Sequence, residues 1–512
     1  MWWKLEEELL TASNRRIREF ETYRRVVLDE NARRRRRAVG AVPEREIQRP
    51  ETWDLDRSHD PFHVRRNRKS IAHAIRAKLR SGTYQPQRPA GFYIGKPSGG
   101  NRTISSFSIA DEVISLRLFR SLMDKNRSHF SSRAYAYRRD LSPHDALGHV
   151  MREFSREQRV FVAEYDFSKF FDTISHEHIR QSVSQLGLVT TALEQELIEA
   201  FLRAPEPYFT LAEKSDPGSP RRVGIPQGTS ISLFLANVAA SGLDRSLERL
   251  GVGFVRYADD TLIWSHTYSE ITEAVDALHD ASAKIGSPIN LSKSHGVRLL
   301  VPEGTLSVEM ASTPSVSYLG HELGLRKLSL RKGSFDRIRS RVNELIYANL
   351  LREPQNGTQS VSQLTDLDRD YVTYVWQLRR YLYGGLSENQ VRRFQHGRIP
   401  PMSFQGAMSY FPLVDDDAQL RALDVWIATQ TWLAVRRRKT LLQRTIHRTV
   451  LPWGLDREAL IGLTTKAATT GDPLDLRLPS VRRISQAIQL GIRSHGLGVV
   501  SDADALYLYD ES

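Results

Sequence analysis

Gly253-Phe254-Val255-Arg256-Tyr257-Ala258-Asp259-Asp260-Thr261-Leu262-Ile263-Trp264 is the stretch from which the fold is read. Tyr257-Ala258-Asp259-Asp260 stands between two short apolar runs, so Phe254 to Trp264 is predicted to form two strands with a tight turn. Adjacent carboxylates at the tip of a buried hairpin are costly, because like charges repel and burial adds desolvation. A bound divalent cation removes that cost by supplying the missing positive charge. The bland alternative is an ordinary Asp-Asp turn.

Upstream, Arg159 to Asp166 is a short strand rich in Val and Phe, and Asp166 sits where a carboxylate projects into a cleft. Its alternative role is to cap the next turn. Two cations about 3.5–4 Å apart can share such a residue with the hairpin, and hard oxygen ligands suit magnesium. Between the two lies Gly224-Ile225-Pro226-Gln227-Gly228-Thr229-Ser230-Ile231-Ser232-Leu233-Phe234-Leu235-Ala236-Asn237. A glycine at a helix entrance lets backbone approach a base pair or phosphate; the competing reading is a plain capped helix, predicted over 230–250.

In this order the three elements resemble the palm motifs of reverse transcriptases, and the resemblance runs from about Tyr84 to Gly324. It implies an α+β right-hand polymerase with fingers and palm, followed by a mainly α-helical thumb and tail. It further implies an enzyme that adds deoxynucleotides to a primer 3′-hydroxyl on an RNA template. Asp166, Asp259 and Asp260 match the metal-holding aspartates, with the Phe167 carbonyl beside them and Mg2+ expected in two places (Mn2+ as the other option). Phe171, five residues after Asp166, matches the residue that screens the sugar 2′-position; a core phenylalanine is its competitor. Gln227, Gly228 and Tyr257 match substrate-facing positions. Lys96 and Arg102 resemble the pair that grips the triphosphate, against the bland reading of two solvated loop cations. Arg138 resembles a further fingers position. Lys293, in Asn290-Leu291-Ser292-Lys293-Ser294, matches the lysine that protonates pyrophosphate, and Val316-Ser317-Tyr318-Leu319-Gly320-His321 resembles the primer grip. His144, His149, His176 and His178 are assigned no role.

The surroundings are consistent with that reading. Lys and Arg outnumber Asp and Glu by 73 to 60, and this +13 excess attracts polyanions. Cysteine is absent, which excludes disulfides, thiolate zinc sites and a cysteine nucleophile. No apolar run reaches the roughly 18 residues that span a bilayer, and Met1 to Leu10 lacks the pattern of a signal peptide. A cytoplasmic protein with no membrane partner is expected. Residues 1–60 are predicted as a basic N-terminal extension, 61–155 as fingers, 156–330 as palm, and 331–512 as helical thumb and C-terminal domain. Within the extension, 6–28 is predicted helical and the run Arg33 to Arg37 is read as a solvated face, a flexible arm or a phosphate-binding arm. Helical spacing is read from Leu364 to Leu382, over 416–442 and over 479–493, with a basic patch at Arg436, Arg437, Arg438 and Lys439.

Within the family, Leu233 stands where many members have proline. With the cysteine-free helical tail, this resembles the bacterial antiphage group, which includes abortive-infection and defence-associated enzymes. That likeness implies an RNA partner, including a dedicated non-coding RNA as template, a DNA product and a homo-oligomer. Two other readings stay open: synthesis without an external template or from a protein primer, and an RNA-binding or splicing-helper protein with a vestigial site.

Overall fold

Charge placement sets the first helix. Glu6, Glu7 and Glu8 lie in its first turn and Arg34 to Arg37 in its last, both favourable to the helix dipole. In the computed structural model, which describes residues 4–95, 101–292, 294–305, 310–395, 397, 399–443, 446–466 and 471–500, helix α1 spans Leu5–Arg37. The arginine run is therefore the end of a helix and not a flexible arm. Its last member, Arg37, is buried.

Helix α2 (Pro61–Arg80) starts on an Asp60 cap with proline in its first turn, both preferred there. Strands β1 (Ala90–Gly95) and β2 (Asn101–Ser106) form an antiparallel pair. Helices α3 (Ile109–Asn126) and α4 (Pro143–Phe154) follow, capped by Ser108 and by a Ser142/Asp145 capping box. Leu5 and Leu9 of α1 join Val64, Ala72, Leu118 and Leu122 in one apolar core, so the N-terminal helix is seated on α2 and α3.

Strand β3 (Val160–Tyr165) leads to helices α5 (His176–Gln185) and α6 (Ser230–Leu250). Strands β4 (Gly253–Tyr257) and β5 (Asp260–Ser265), helix α7 (Tyr268–Ile285) and strands β6 (Gly296–Leu300) and β7 (Ser312–Thr313) complete the central layer. The sheet order is β4-β5-β3-β6-β7, antiparallel except for β6 with β7. Phe254, Ala163 and Ile263 belong to the core that includes α6 and α7. Val162, Val255, Leu262 and Trp264 pack with Ala146, Val150 and Phe154 of α4 on the other face. Burial on both faces is why these strands read as continuous apolar runs. A three-stranded meander, β8 (Val316–Tyr318), β9 (His321–Leu323) and β10 (Leu328–Leu330), adjoins the second face. The molecule is thus mixed α and β, with a helical C-terminal part, as expected of the right-hand architecture.

That C-terminal part has its own core. Helix α8 (Lys332–Ile346) widens into a π-helical turn, Tyr347–Leu351, and is followed by α9 (Arg369–Tyr383), α10 (Asp417–Leu442) and α11 (Val481–His495). A small hairpin of β11 (Thr464–Lys466) and β12 (Pro473–Asp475) is the strand content that sequence reading missed. Helix α9 begins at Arg369, later than the apolar spacing from Leu364 predicts. The reason is Asp368, whose side chain accepts the backbone N–H groups of Asp370 and Tyr371 and starts the helix there.

A buried ionic cluster organises this core. Arg438 is 0% exposed and donates to both oxygens of Asp368 (2.6 and 3.2 Å) and to Asp370 (2.8 Å). It also donates to Leu350 O (2.8 Å) and Gln359 Oε1 (3.1 Å). The patch read as Arg436 to Lys439 therefore loses its third member to the interior, while Arg436 and Arg437 stay exposed. Arg37, at the end of α1, reaches the same cluster through Asp370 (2.7 Å), Asn349 Oδ1 (2.6 Å) and Ala348 O (3.2 Å). Two guanidiniums thus hold carbonyls of the π-helical turn. No helix among the described residues is long and apolar enough to cross a membrane.

Candidate active site

The β4–β5 hairpin closes in a two-residue turn. Tyr257 pairs with Asp260, leaving Ala258 and Asp259 at the tip. Ala258 takes a left-handed backbone (φ 59°), which costs a non-glycine residue about 1–2 kcal/mol. The turn is held from below by Arg256. Its guanidinium donates to Ala258 O (2.8 Å), to Asn237 Oδ1 of α6 (3.2 Å) and, through two N–H groups, to Asp244 (2.7 and 2.6 Å). Burial opposes its charge, yet the Asp244 carboxylate and its hydrogen bonds hold Arg256 above its ordinary range. Tyr318 of the meander lies beneath the same hairpin and donates weakly to Asp260 O at 3.4 Å. Burial first, and then the Asp260 charge, push its hydroxyl well above the usual tyrosine value.

Strand β3 pairs with β5 so that Tyr165 lies opposite Thr261. Asp166 directly follows Tyr165 and Asp260 directly precedes Thr261, so both carboxylates stand beside this last pair. Asp166, Asp259 and Asp260 are all half-buried, at one end of the sheet. Asn290 fixes Asp166 twice, by its backbone N–H to Asp166 O (2.8 Å) and by Nδ2 to Oδ2 (3.4 Å). Beyond the carboxylate, Phe167 makes an isolated antiparallel bridge to Ile289. Asn290, the first residue of the Asn290-Leu291-Ser292 segment, thus adjoins Asp166. Lys293 lies outside the described residues.

Donor chemistry and register suit a divalent cation, because hard carboxylate ligands stand at a strand end and at an adjoining turn. Among the described residues, no group of three or more acidic or imidazole side chains is gathered tightly enough to hold an ion as it stands. The fit therefore rests on backbone placement.

The glycine-bearing loop closes the other side. Ile225 N–H donates to Phe171 O (2.6 Å), and Gln227 Nε2 donates to Asp172 Oδ1 (2.9 Å). Gln227 O accepts from Ser105 N–H of β2 (3.1 Å), which ties the loop to the β1–β2 hairpin. Gly228 has φ 119°, and a Cβ there would stand 2.0 Å from Ser105 O, so only glycine fits. Phe171 is half-buried beside Phe170, which is the core member of the pair. Arg102 is exposed on β2, about 10 Å along the strand from Ser105. Lys96 lies outside the described residues. Arg138 is engaged with Asp140 (2.8 Å) and Ser131 O (2.8 Å).

The four histidines are structural. His176 contacts Gly224 O (2.7 Å), His178 Ala239 O (2.8 Å), His144 Tyr410 O (3.3 Å) and His149 the Tyr135 hydroxyl (2.9 Å). Sequence reading missed Arg256, Asp244 and Ser105. Arg256 had a signal: a lone charge inside an apolar strand needs a buried partner.

The family described as "Reverse transcriptase (RNA-dependent DNA polymerase)" matches residues 94–323. Protein YkfC of Escherichia coli (strain K12) is 25% identical over 197 residues, 38% of this chain and 49% of that protein. The group II intron-encoded protein LtrA of Lactococcus lactis subsp. cremoris is 28% identical over 213 residues, 41% of this chain and 32% of that one. The chain spans about half the length of the first relative and a third of the second. Among solved structures, Candida tropicalis telomerase in complex with a TWJ fragment of telomeric RNA aligns over 86% of this chain and 68% of that one, at 12% identity and a TM-score of 0.39. The hairpin aspartates, the strand-end aspartate and the glycine-bearing loop all lie inside residues 94–323, the region that matches the reverse transcriptase family.

Proposed function

We propose that this chain is an RNA-directed DNA polymerase that extends a primer 3′-hydroxyl with deoxynucleotides. The observation that supports the reading is the β3–β5 register, in which Asp166 and Asp260 flank the Tyr165–Thr261 pair, with Asp259 at the adjoining turn. Asp166, Asp259 and Asp260, with the Phe167 carbonyl, are the residues that would hold two divalent cations, magnesium or manganese. Such ions, when bound, activate the hydroxyl and neutralise the departing pyrophosphate. The protein's own groups do the rest. Arg102 and Lys96 bind the triphosphate, Phe171 screens the sugar, and Gln227, Gly228 and Tyr257 face the nucleotide. Lys293 supplies the proton to the leaving group.

The finer reading is a bacterial antiphage enzyme in the cytoplasm that copies a dedicated non-coding RNA and assembles with copies of itself. Leu233 and the cysteine-free helical tail support it. The test uses the purified full chain with magnesium, labelled deoxynucleotides and a primed RNA, beside an Asp259→Ala, Asp260→Ala double variant. Incorporation that needs both the template and the aspartates is the expected result. Incorporation without template refutes RNA direction, and equal incorporation by the double variant refutes the site. Plating efficiency of phages on cells carrying either form tests the defence role: protection that depends on the aspartates is expected.

A further inference from the structure

Tyr93 and Phe209 form a stacked ring pair on the surface, with centroids 4.7 Å apart and planes within 9°. Tyr93 is 60% exposed and Phe209 36%. Stacked aromatics are normally buried for the large apolar area they remove from water. Here the arrangement is built from several sides. The chain at Tyr208 runs along the free edge of β1, with Gly91 N–H donating to Tyr208 O (2.7 Å) and Tyr208 N–H to Pro89 O (3.0 Å). Phe209 N–H donates to Glu213 Oε2 (2.9 Å). Arg88 clamps the loop that follows through Glu206 O, Glu213 O and Asp216 O, at 2.7–2.9 Å. A Cβ at position 91 would stand 2.7 Å from the Phe209 ring, so the absence of a side chain at Gly91 seats that ring.

We propose that the Tyr93–Phe209 pair is a stacking platform for bases of a single-stranded nucleic acid, the template strand of the polymerase proposed above, on which this inference rests. Aromatic faces bind bases of any sequence, because every base has a π-face. A strand fits better than a free nucleotide for two reasons. Leu211, 62% exposed and two residues beyond Phe209, adds apolar surface on the same segment, and an open surface takes successive bases where a pocket takes one. Tyr93 pairs with Thr103 and Ile94 with Arg102, so Arg102 points to the opposite face of the ribbon. The candidate triphosphate cation and the aromatic platform are therefore on different faces. The segment that carries Phe209 continues to the exposed Arg222, a cation for a strand's backbone.

The test is binding of a single-stranded RNA oligonucleotide carrying 2-aminopurine, followed by its fluorescence, without primer or divalent cation. The full chain is compared with Tyr93→Ala, Phe209→Ala and Tyr93→Phe. The expected result is quenching by the parent and by Tyr93→Phe. Each alanine variant is expected to bind about five- to hundredfold more weakly with quenching lost. Parental quenching and affinity in both alanine variants, with an unchanged thermal melt, overturn the platform. Displacement of the quenched oligonucleotide by a free deoxynucleotide also overturns it, because the rings then belong to the nucleotide site. The polymerase reading fails separately: a parent chain that binds through Tyr93 yet incorporates nothing refutes that reading and leaves the platform standing.

Discussion

Arg256→Met is the substitution with the most to teach. Arg256 and Asp244 are each 1% exposed, and two hydrogen bonds of 2.7 and 2.6 Å join them. Methionine fills much of the arginine stem but leaves the Asp244 carboxylate buried and unpaired. Removing one partner of a buried pair costs about 3–5 kcal/mol. That is a large share of a typical 5–15 kcal/mol total stability. The double variant Arg256→Met, Asp244→Leu removes both charges, and its stability is expected within about 1 kcal/mol of the parent. Activity is a separate matter. The double variant still lacks the donor to Ala258 O, so the left-handed turn that presents Asp259 is no longer braced. Polymerisation is expected to fall at least about tenfold, the equivalent of roughly 1.4 kcal/mol. Equilibrium urea unfolding and primer extension on the same preparations give both quantities. A single variant that loses under about 1 kcal/mol refutes the buried-pair argument. A double variant that is stable and fully active refutes the claim that Arg256 braces the turn.

Three further outcomes follow from the same structure. Gly228→Ala drives a methyl to within 2.0 Å of Ser105 O at a φ of 119°, so primer extension should collapse. The rest of the fold should melt within a few degrees of the parent, and parental activity would show that the loop does not meet β2 as described. Arg438→Met removes the guanidinium from the buried Asp368 while Asp370 keeps Arg37, and should cost about 3–5 kcal/mol by urea unfolding; a loss below about 1 kcal/mol would show that the cluster does not stabilise. His321 is buried, with Nδ1 donating to Leu319 O (2.7 Å), and burial, with a smaller effect of His144, lowers its pKa to about 4. The unfolded chain protonates near pH 6.5 while the folded chain does not, so stability should fall as pH drops from about 6.5 to about 4. A His321→Gln variant should show a shallower fall over that window, and an unchanged slope would remove His321 as its source.

The hairpin, the strand before Asp166 and helix α6 were legible because their signals are local. Apolar runs flank a two-residue turn, and the boundaries 230–250 coincide with those observed. The arginines were harder. Charge density in Arg33 to Arg37 points to solvent, whereas the groups that draw Arg37 inward, Asn349 and Asp370, lie more than 300 residues away. No local pattern announces such partners. Arg438 was readable in principle. Leu420, Leu423, Ile427, Thr431, Ala434 and Leu442 form the buried stripe of α10, and helical spacing puts position 438 on it. Composition gave the run a solvent-facing reading, while periodicity places one of its members inside. Arg256 teaches the same about strands: among residues buried on both faces, a charge has no outward side to take. Placing the aspartates relative to one another required the β3–β5 register, which no single stretch of sequence contains.

Helix α1 fixes a distance. Its 33 residues make a rod about 50 Å long. One end is wedged by Leu5 and Leu9 into the core shared with α2 and α3, and the other is pinned by Arg37 into the π-helical turn of the C-terminal part. Two parts joined by a tie-beam do not open at one side alone. Any widening between them must bend the beam, unseat a pin, or carry both sides together.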